Sequence, residues 1–380
     1  MGELIPGLPE EVARECLVRV GFDQLPVVRR ISRQWKSELE SPDYHRLRRA
    51  EGLARPVLAL VQASPAPPAD GDAGTAADKQ RSSAAGPANS YRMVLLDPEE
   101  GRWAPLPAPP GPAGSLPLFC QVAAVGGGGQ GRKRLVVVGG WDPETWAPVD
   151  AVLVYDFLTG AWRRGAPMPG PRRSFFACAA VGGAVYVAGG HDEEKNALRS
   201  ALAYDPERDA WSWLPDMAEE RDEPRGLCAG GRFLVVGGYP TQAQGRFVGS
   251  AEAFDPAASA WAPVGDGLLE DGACPRTCCA APGPAGRLYM LRDGHLVARD
   301  AAAPGAAWRP VAQVPEDART AATVSAIPGG RVVVIGSGCH GGDKNVYVLR
   351  EEAGKGASWE RAAAPPEFAG HVQASCCLEI

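Results

Sequence analysis

Residues 173–213 read RSFFACAAVGGAVYVAGGHDEEKNALRSALAYDPERDAWSW. An apolar run ends in Gly182-Gly183, and a second, AVYVAGG, ends in Gly189-Gly190. A polar loop follows. Then come Ala203-Tyr204-Asp205-Pro206 and, six residues after the Asp, Trp211. Four short apolar runs parted by Gly, Asp and Pro turns predict four β-strands.

Most of the chain is this stretch written again with variations. Trp103, Trp162, Trp211, Trp261, Trp308 and Trp359 are 59, 49, 50, 47 and 51 residues apart. Asp97, Asp156, Asp205 and Asp255 each precede their Trp by six residues, and Asp300 precedes Trp308 by eight. The sixth copy, LREEAGKGASW, has lost the Asp. The pairs Gly139-Gly140, Gly189-Gly190 and Gly237-Gly238 step by 50 and 48. Double glycine, aromatic-Asp, then Trp, at a period of about 50 residues, resembles the kelch repeat, each copy of which is one blade of a β-propeller. Six Trp predict a mainly β, six-bladed kelch propeller. The glycines serve tight turns and close backbone approach. Each Trp is expected to wedge between neighbouring blades.

Blade two spans about 116–168, blade four 225–264, blade five 276–311 and blade six 319–363, and the quoted stretch is blade three. Blade one, read from Pro56, supplies PVLALVQ, YRMVLLD and GRWAPLP as its second, third and fourth strands. It has no first strand, because 22–53 is helical in pattern. The tail HVQASCCLEI matches FFACAAV in its small apolar and Cys positions. Residues 371–378 are therefore predicted to be the missing innermost strand, closing the ring and removing an exposed edge. A competing reading takes Cys377-Leu378-Glu379-Ile380 as a prenylation box, but Glu379 stands where that motif wants an aliphatic residue. Between the second and third strands of blade one, 63–90 is rich in Ala, Pro, Gly, Ser and Asp, with no aromatic or large aliphatic residue. It is predicted to be a disordered insert. The turn GGGGQGRKR in blade two lacks the Gly-Lys-Ser/Thr ending of a phosphate loop and leads into a strand.

A net charge of −6 over 380 residues gives no reason to expect nucleic-acid or membrane-surface partners. No apolar segment approaches membrane-spanning length. The start, MGELIPGLPEE, lacks the basic start and apolar core of a signal peptide, and lacks the Ser or Thr at position 6 that myristoylation prefers. Of ten Cys, Cys120, Cys178, Cys228, Cys278 and Cys376 recur in the first strands of successive blades. They are expected to be reduced, buried thiols in the cytoplasm and nucleus. Cys274, Cys278 and Cys279 lack the paired knuckles and histidines of a zinc site. No metal or cofactor is expected.

Residues 3–52 do not fit the strand repeat and predict three helices. In LPEEVARECLVRVG, Pro9 suits the first turn, Glu10 and Glu11 the N-terminal dipole, and Gly21 the stop. Val12, Cys16, Leu17 and Val20 fall on one face. A second helix is expected over about 25–39, on Leu25, Val28, Ile31, Trp35 and Leu39, and a third over 43–51. So small a unit needs something to dock on. Leu8-Pro9, then Leu17, Leu25 and Ile31-Ser32-x-x-Trp35 resembles the F-box, which binds the Skp-type adaptor of cullin-based ubiquitin ligases.

The order of F-box and kelch repeats resembles the plant F-box/kelch-repeat proteins, in particular the KISS ME DEADLY-like group. ELIPGLPEEVARECLVRV at the start, LVVVGGWDP from Leu135, VAGGHDEEKNALRSA from Val187 and ALAYDPERDAWSWLPDM from Ala201 carry the likeness. It implies a non-catalytic recognition subunit: the F-box (3–52) docks the adaptor, and through it a cullin, while the propeller (56–380) recruits a protein client for ubiquitination. The group's clients include phenylalanine ammonia-lyase of phenylpropanoid synthesis and type-B response regulators of cytokinin signalling. A kelch scaffold with no ubiquitin-ligase role is the alternative, and copurification with a cullin separates the two.

For the adaptor the candidates are Leu8, Pro9, Val12, Leu17, Val20, Leu25, Val28, Ile31 and Trp35. For the client, the loops after the second strands and those entering the first strands emerge on one face. The former supply Trp141, Asp142, Trp146, His191, Asp192, Glu193, Tyr239 and His340. The latter supply Arg173, Arg225, Arg276 and Arg319, either as a ring reading acidic groups or each paired with an acid of a neighbouring blade. Trp141 and Trp146 are the stronger candidates, as exposed aromatics become hot spots. Catalytic readings fail on the residues. His191, His295 and His340 show no copper-oxidase grouping with Cys and Tyr. DPxxxxW is not the sialidase Asp-box, and the iron motif E-x-x-x-D-x-x-x-H is absent.

Overall fold

The protein, in a computed structural model, is described over residues 3–65, 90–111, 114–126, 133–283, 286–301, 305–352 and 356–380. The core of the predicted insert, 66–89, and the glycine-rich turn at 127–132 lie outside the described residues.

Four helices open the chain: α1 (Glu10–Val18), α2 (Leu25–Ile31), α3 (Arg33–Leu39) and α4 (Pro42–Ala50). Three were expected. The predicted 25–39 helix is divided at Ser32, whose extended backbone (φ −151°, ψ 159°) cannot continue α2. Its Oγ instead accepts from Trp35 N and caps α3. α1 stops at Val18, short of the expected Gly21, with Arg19 as C-cap. Leu17, Val18, Val28, Leu39 and Tyr44 form a small buried core. Arg48 ties the unit together by donating to the carbonyls of Val18, Val20 and Leu53.

The remaining chain forms six four-stranded antiparallel sheets, a six-bladed propeller. Blade one holds β1 (Pro56–Ala63), β2 (Tyr91–Asp97) and β3 (Arg102–Pro105). Blade two is β4 (Gln121–Gly126), β5 (Lys133–Val138), β6 (Val152–Asp156) and β7 (Ala161–Arg164). Blade three is β8 (Ala177–Val181), β9 (Ala184–Ala188), β10 (Ala201–Asp205) and β11 (Ala210–Leu214). Blade four is β12 (Arg225–Ala229), β13 (Arg232–Val236), β14 (Ala251–Asp255) and β15 (Ala260–Trp261). Blade five is β16 (Cys279–Ala280), β17 (Arg287–Arg292), β18 (His295–Asp300) and β19 (Arg309–Gln313). Blade six is β20 (Thr320–Ile327), β21 (Arg331–Ser337), β22 (Asn345–Glu352) and β23 (Gly356–Ala362).

The last strand, β24 (Val372–Glu379), returns to blade one as its innermost strand, one residue along from the expected 371–378. It pairs antiparallel with β1 from Pro56↔Glu379 to Gln62↔Val372 and lies between β20 and β4. Cys377 of the competing lipidation reading sits inside this ladder, opposite Leu58.

Each repeat element has a physical task. Asp97, Asp205 and Asp255 accept from the two amides that follow the adjacent residue, and Asp156 accepts from Leu158, so each folds the turn into the outer strand. Every repeat Trp donates its indole N–H to a carbonyl of the preceding blade: Trp162 to Pro107, Trp211 to Ala166, Trp261 to Pro215, Trp308 to Leu268 and Trp359 to Gln313. Trp103 of blade one donates to Ala363 after blade six, so the same bond closes the ring. At the glycine pair the φ values are 68° for Gly189 and 80° for Gly190. A Cβ on Gly190 would lie 2.3 Å from Ser174 O, so the pair answers both conformation and crowding. Apolar side chains of adjacent blades interleave into cores between the sheets.

The cysteine expectation needs correction. Cys120 and Cys278 precede the inner strands rather than sitting in them, and Cys228 is exposed. In space Gly226, not Cys228, is the neighbour of Cys178, because a Cβ there would meet Cys178 N at 2.4 Å. No helix of the described residues is long and apolar enough to cross a membrane.

Candidate protein-binding faces

Antiparallel strands put the turns of each blade on two opposite faces. The helical unit docks on the face where the outer-strand turns lie. Arg29 of α2 donates to the carbonyls of Phe157 and Leu158 in the turn of blade two. Asp23 lies 3.5 Å from Arg102, Phe22 packs against the blade-one core, and Phe22, Leu25 and Pro26 line a small cavity with Leu95, Leu106, Tyr155 and Ile380. His45 is half-buried at this junction, with its Nε2 shielded from solvent. That burial, with Arg29, Arg48 and Lys133 nearby, holds its imidazole down at about 4.

The nine adaptor candidates divide. Leu17 and Val28 are core residues of the helical unit, and Val20, Leu25 and Trp35 pack against that core. Leu17 and Val28 are buried, while Val20, Leu25 and Trp35 are half-buried and keep part of their surface open. Leu8 (36% exposed), Pro9, Val12 (45%) and Ile31 (59%) face solvent. Sequence reasoning missed Val27, 60% exposed and one turn before Ile31 on α2. Its signal was that it is apolar yet off the 3-and-4 stripe that selects Val28.

On the opposite face the structure gathers an aromatic cluster. Trp141 donates its indole to Ser174 Oγ at 2.7 Å. Phe119 stands edge-on to it at 5.9 Å, and Phe175 packs on both rings at 5.4 and 6.2 Å. His191 lies 5.6 Å from Phe175. Its Nδ1 donates to Asp222 Oδ1 at 2.8 Å, which leaves Nε2 to accept from Lys195 Nζ at 2.9 Å. That same ammonium lies 5.3 Å from the Trp141 ring centre, a cation–π contact. Nearby Tyr239 is buried, stacks edge-on with Phe247, and donates to Glu223 Oε1 at 3.0 Å. Burial first, and the Asp222 and Glu223 charges second, push its hydroxyl up.

Asp142 shapes its loop by accepting from the Thr145 and Glu144 amides, which hold its carboxyl below the usual range. Asp192 does the same for Asn196. Trp146 is 60% exposed, and Glu193 and His340 are exposed. Seven of the nine described non-glycine residues with positive φ lie on this face: Phe119, Trp146, Phe175, Lys195, Glu223, Asp293 and Ala321. Such backbones cost on the order of 1–3 kcal/mol each and collect at functional sites.

The four arginines form no ring. Arg173 is fully buried and donates to Gly189 O, Ser200 O and Ser200 Oγ, with no ion-paired carboxylate among the described residues. Its burial lowers its guanidinium to about 10. Its counterpart in blade four is Arg221, which makes the matching contacts to Gly237 O and Ser250 and adds Glu252 at 3.0 Å in its own blade. The spacing had matched Arg173 with Arg225 instead. Arg225 lies inward on the propeller axis, Arg276 is exposed in a 3₁₀ turn, and Arg319 donates to Val314 O. Sequence reasoning also missed Phe119, Phe175, Lys195 and Asp222. The aromatic two residues before the first strand in blades two and three was a legible signal for the two phenylalanines.

A four-helix unit on one face of a six-bladed propeller, with an aromatic cluster on the other, defines a two-ended, F-box-type propeller protein. The kelch motif model matches residues 129–169 and 172–218, the heart of blades two and three. Along its whole length the chain is 38% identical over 388 residues to F-box/kelch-repeat protein At1g80440 of Arabidopsis thaliana, covering 100% of both chains. It is 38% identical to At1g15670 over 381 residues, again 100% of both, and 34% identical to SKIP20 over 405 residues, 97% of this chain and 94% of the relative, both from the same plant. The chain belongs to the F-box/kelch-repeat family.

Proposed function

We propose that this protein is the non-catalytic client-recognition subunit of an SCF-type cullin ubiquitin ligase. The observation that carries the reading is the row of bare apolar side chains on the helical unit. Leu8, Val12, Val27 and Ile31 face solvent while the other side of α2 is anchored on the propeller through Arg29. Exposed apolar groups beside a satisfied core are what a docking partner covers. A Skp-type adaptor, itself bound to a cullin, is that partner. On the far face Trp141, Trp146, Phe119, Phe175 and Lys195 offer an aromatic surface with one cation to a protein client, held from beneath by the buried His191. Bound adaptor and bound client therefore do not compete for space. The ten free cysteines fit work in the reducing cytoplasm and nucleus. Phenylalanine ammonia-lyase and type-B response regulators, the clients of the KISS ME DEADLY-like group, are the first candidates to test.

The test is adaptor pulldown with Leu8→Ala/Pro9→Ala. A soluble double mutant with a normal melt should lose adaptor and cullin together. Undiminished recovery of the adaptor would sink the assignment. Proximity labelling from the adaptor-dead bait then identifies undegraded clients.

A further inference from the structure

The innermost strands of the six blades surround a channel of about 370 Å³ on the propeller axis. That volume falls in the range of small-molecule sites. Its walls are mostly small: Ala, Cys, Ser, Gly and Val dominate. Among the described residues that line it, Arg225 alone carries a charge.

Arg225 opens β12, and Gly226 beside it lets β12 close tightly on Cys178 of β8. The guanidinium crosses towards blade five, where Nε donates to Cys278 O at 3.1 Å. That bond fixes the plane of the fork. Neither Nη group has a hydrogen-bond or carboxylate partner among the described residues, whereas both forks of Arg173 and Arg221 are engaged. The surrounding thiols supply no counter-ion. Burial pushes Cys178 and Cys279 up to about 12, against the pull of Arg225, so both stay neutral. A fixed fork with both Nη groups unpaired, half-buried in a bore of small side chains, is a ready partner for an anion with planar or tetrahedral oxygens.

We infer that the channel binds a small organic anion, its carboxylate or phosphate head on the Arg225 fork and a compact apolar body along the Ala and Cys walls. This site stands apart from both protein-binding faces and does not depend on the ligase reading.

The probes are benzoate, inorganic phosphate and neutral benzamide, titrated into the full-length protein by calorimetry and by melting temperature. Benzoate or phosphate should bind saturably and raise the melting temperature with concentration, and benzamide should not. Which anion binds tells carboxylate from phosphate preference. Arg225→Gln should weaken that binding by about tenfold or more, the loss of one charge-assisted pair. Arg225→Lys, which keeps the charge but not the fork, should fall between, and it carries the test if the Gln variant does not fold. Arg276→Gln, on an exposed turn, should bind like the parent. Equal anion affinity in parent and both Arg225 variants, or a folded parent that binds neither anion, overturns the inference.

Discussion

Removing residues 371–380 takes out one strand, yet it should unfold the propeller rather than trim it. β24 is the inner strand of blade one, and its ladder with β1 runs from Val372 to Glu379. Val372, Ala374 and Leu378 are buried, and Cys376, Cys377 and Ile380 pack against the cores on either side of the blade. Burying a Val or Leu side chain is worth roughly 1.5–3 kcal/mol. Two such side chains with the partial burial of the rest come to about 5–10 kcal/mol, before the ladder bonds are counted. A whole domain has only about 5–15 kcal/mol in hand. The deletion also bares the inner edge of β1, whose Leu58, Ala59 and Leu60 are fully buried in the intact ring. It further removes the Arg55–Ile380 backbone pair beside the helical unit. Size-exclusion chromatography with light scattering and a circular-dichroism melt read the outcome. Aggregation, or a melting temperature lower by well over 10 °C, is expected. A monomeric truncation that melts like the parent would refute ring closure by the C-terminal strand.

Trp211→Phe keeps an aromatic wedge but orphans Ala166 O, so a loss of about 1–2 kcal/mol in denaturant unfolding is expected, and no loss would deny the indole bond a role. Trp146→Ala should leave the melt unchanged, its side chain being 60% exposed, yet cut client recovery in proximity labelling by about tenfold or more, with adaptor binding intact. His45 predicts acid sensitivity at the junction of helical unit and propeller. Its folded pKa, about 4, lies below the unfolded value of 6.5, so the native state is favoured in full above pH 6.5 and loses that advantage as pH falls towards 4. The loss amounts to ~2 kcal/mol by pH 5. His45→Gln should flatten this part of the pH–stability profile, and an unchanged profile would count against the half-buried neutral imidazole.

The blade count and the closing strand were legible because each repeat residue does a job within its own copy. Asp folds a local turn, Gly-Gly passes close under one strand, and Trp bonds one blade back, so the period survives in the sequence. The arginines misled for the same reason. Arg173 and Arg221 share a role, each four residues ahead of its first strand and 16 ahead of the glycine carbonyl it binds, but a period of only about 50 residues also admits Arg225, which the spacing selected. Helix breaks are set by one hydroxyl, Ser32, and the apolar stripe runs straight through it. On the helical unit, periodicity finds the buried face, so it selected Val28 and passed over Val27. The Asp222–His191–Lys195 chain could not be read at all, since Asp222 comes from the next blade, 31 residues on.

The two faces are mechanically one object. Ile380 exchanges both backbone bonds with Arg55, the linker from the helices, while Glu379 lies 3.7 Å from Arg49 of α4 and 3.5 Å from Lys133 of β5. The strand that closes the ring thus also meets the helical unit and blade two. Arg29 fixes the same unit to the turn of blade two. Each surface pair alone is worth little, at most ~1 kcal/mol. Together with the packing of Phe22 against the blade-one core, they oppose hinging between the two parts. A partner on Val12 and Ile31 is therefore held at a set orientation to whatever sits on Trp141, across the full depth of the propeller. Under the proposed ligase reading, that fixed relation would set the distance and angle between an adaptor on the helical unit and a client on the far face.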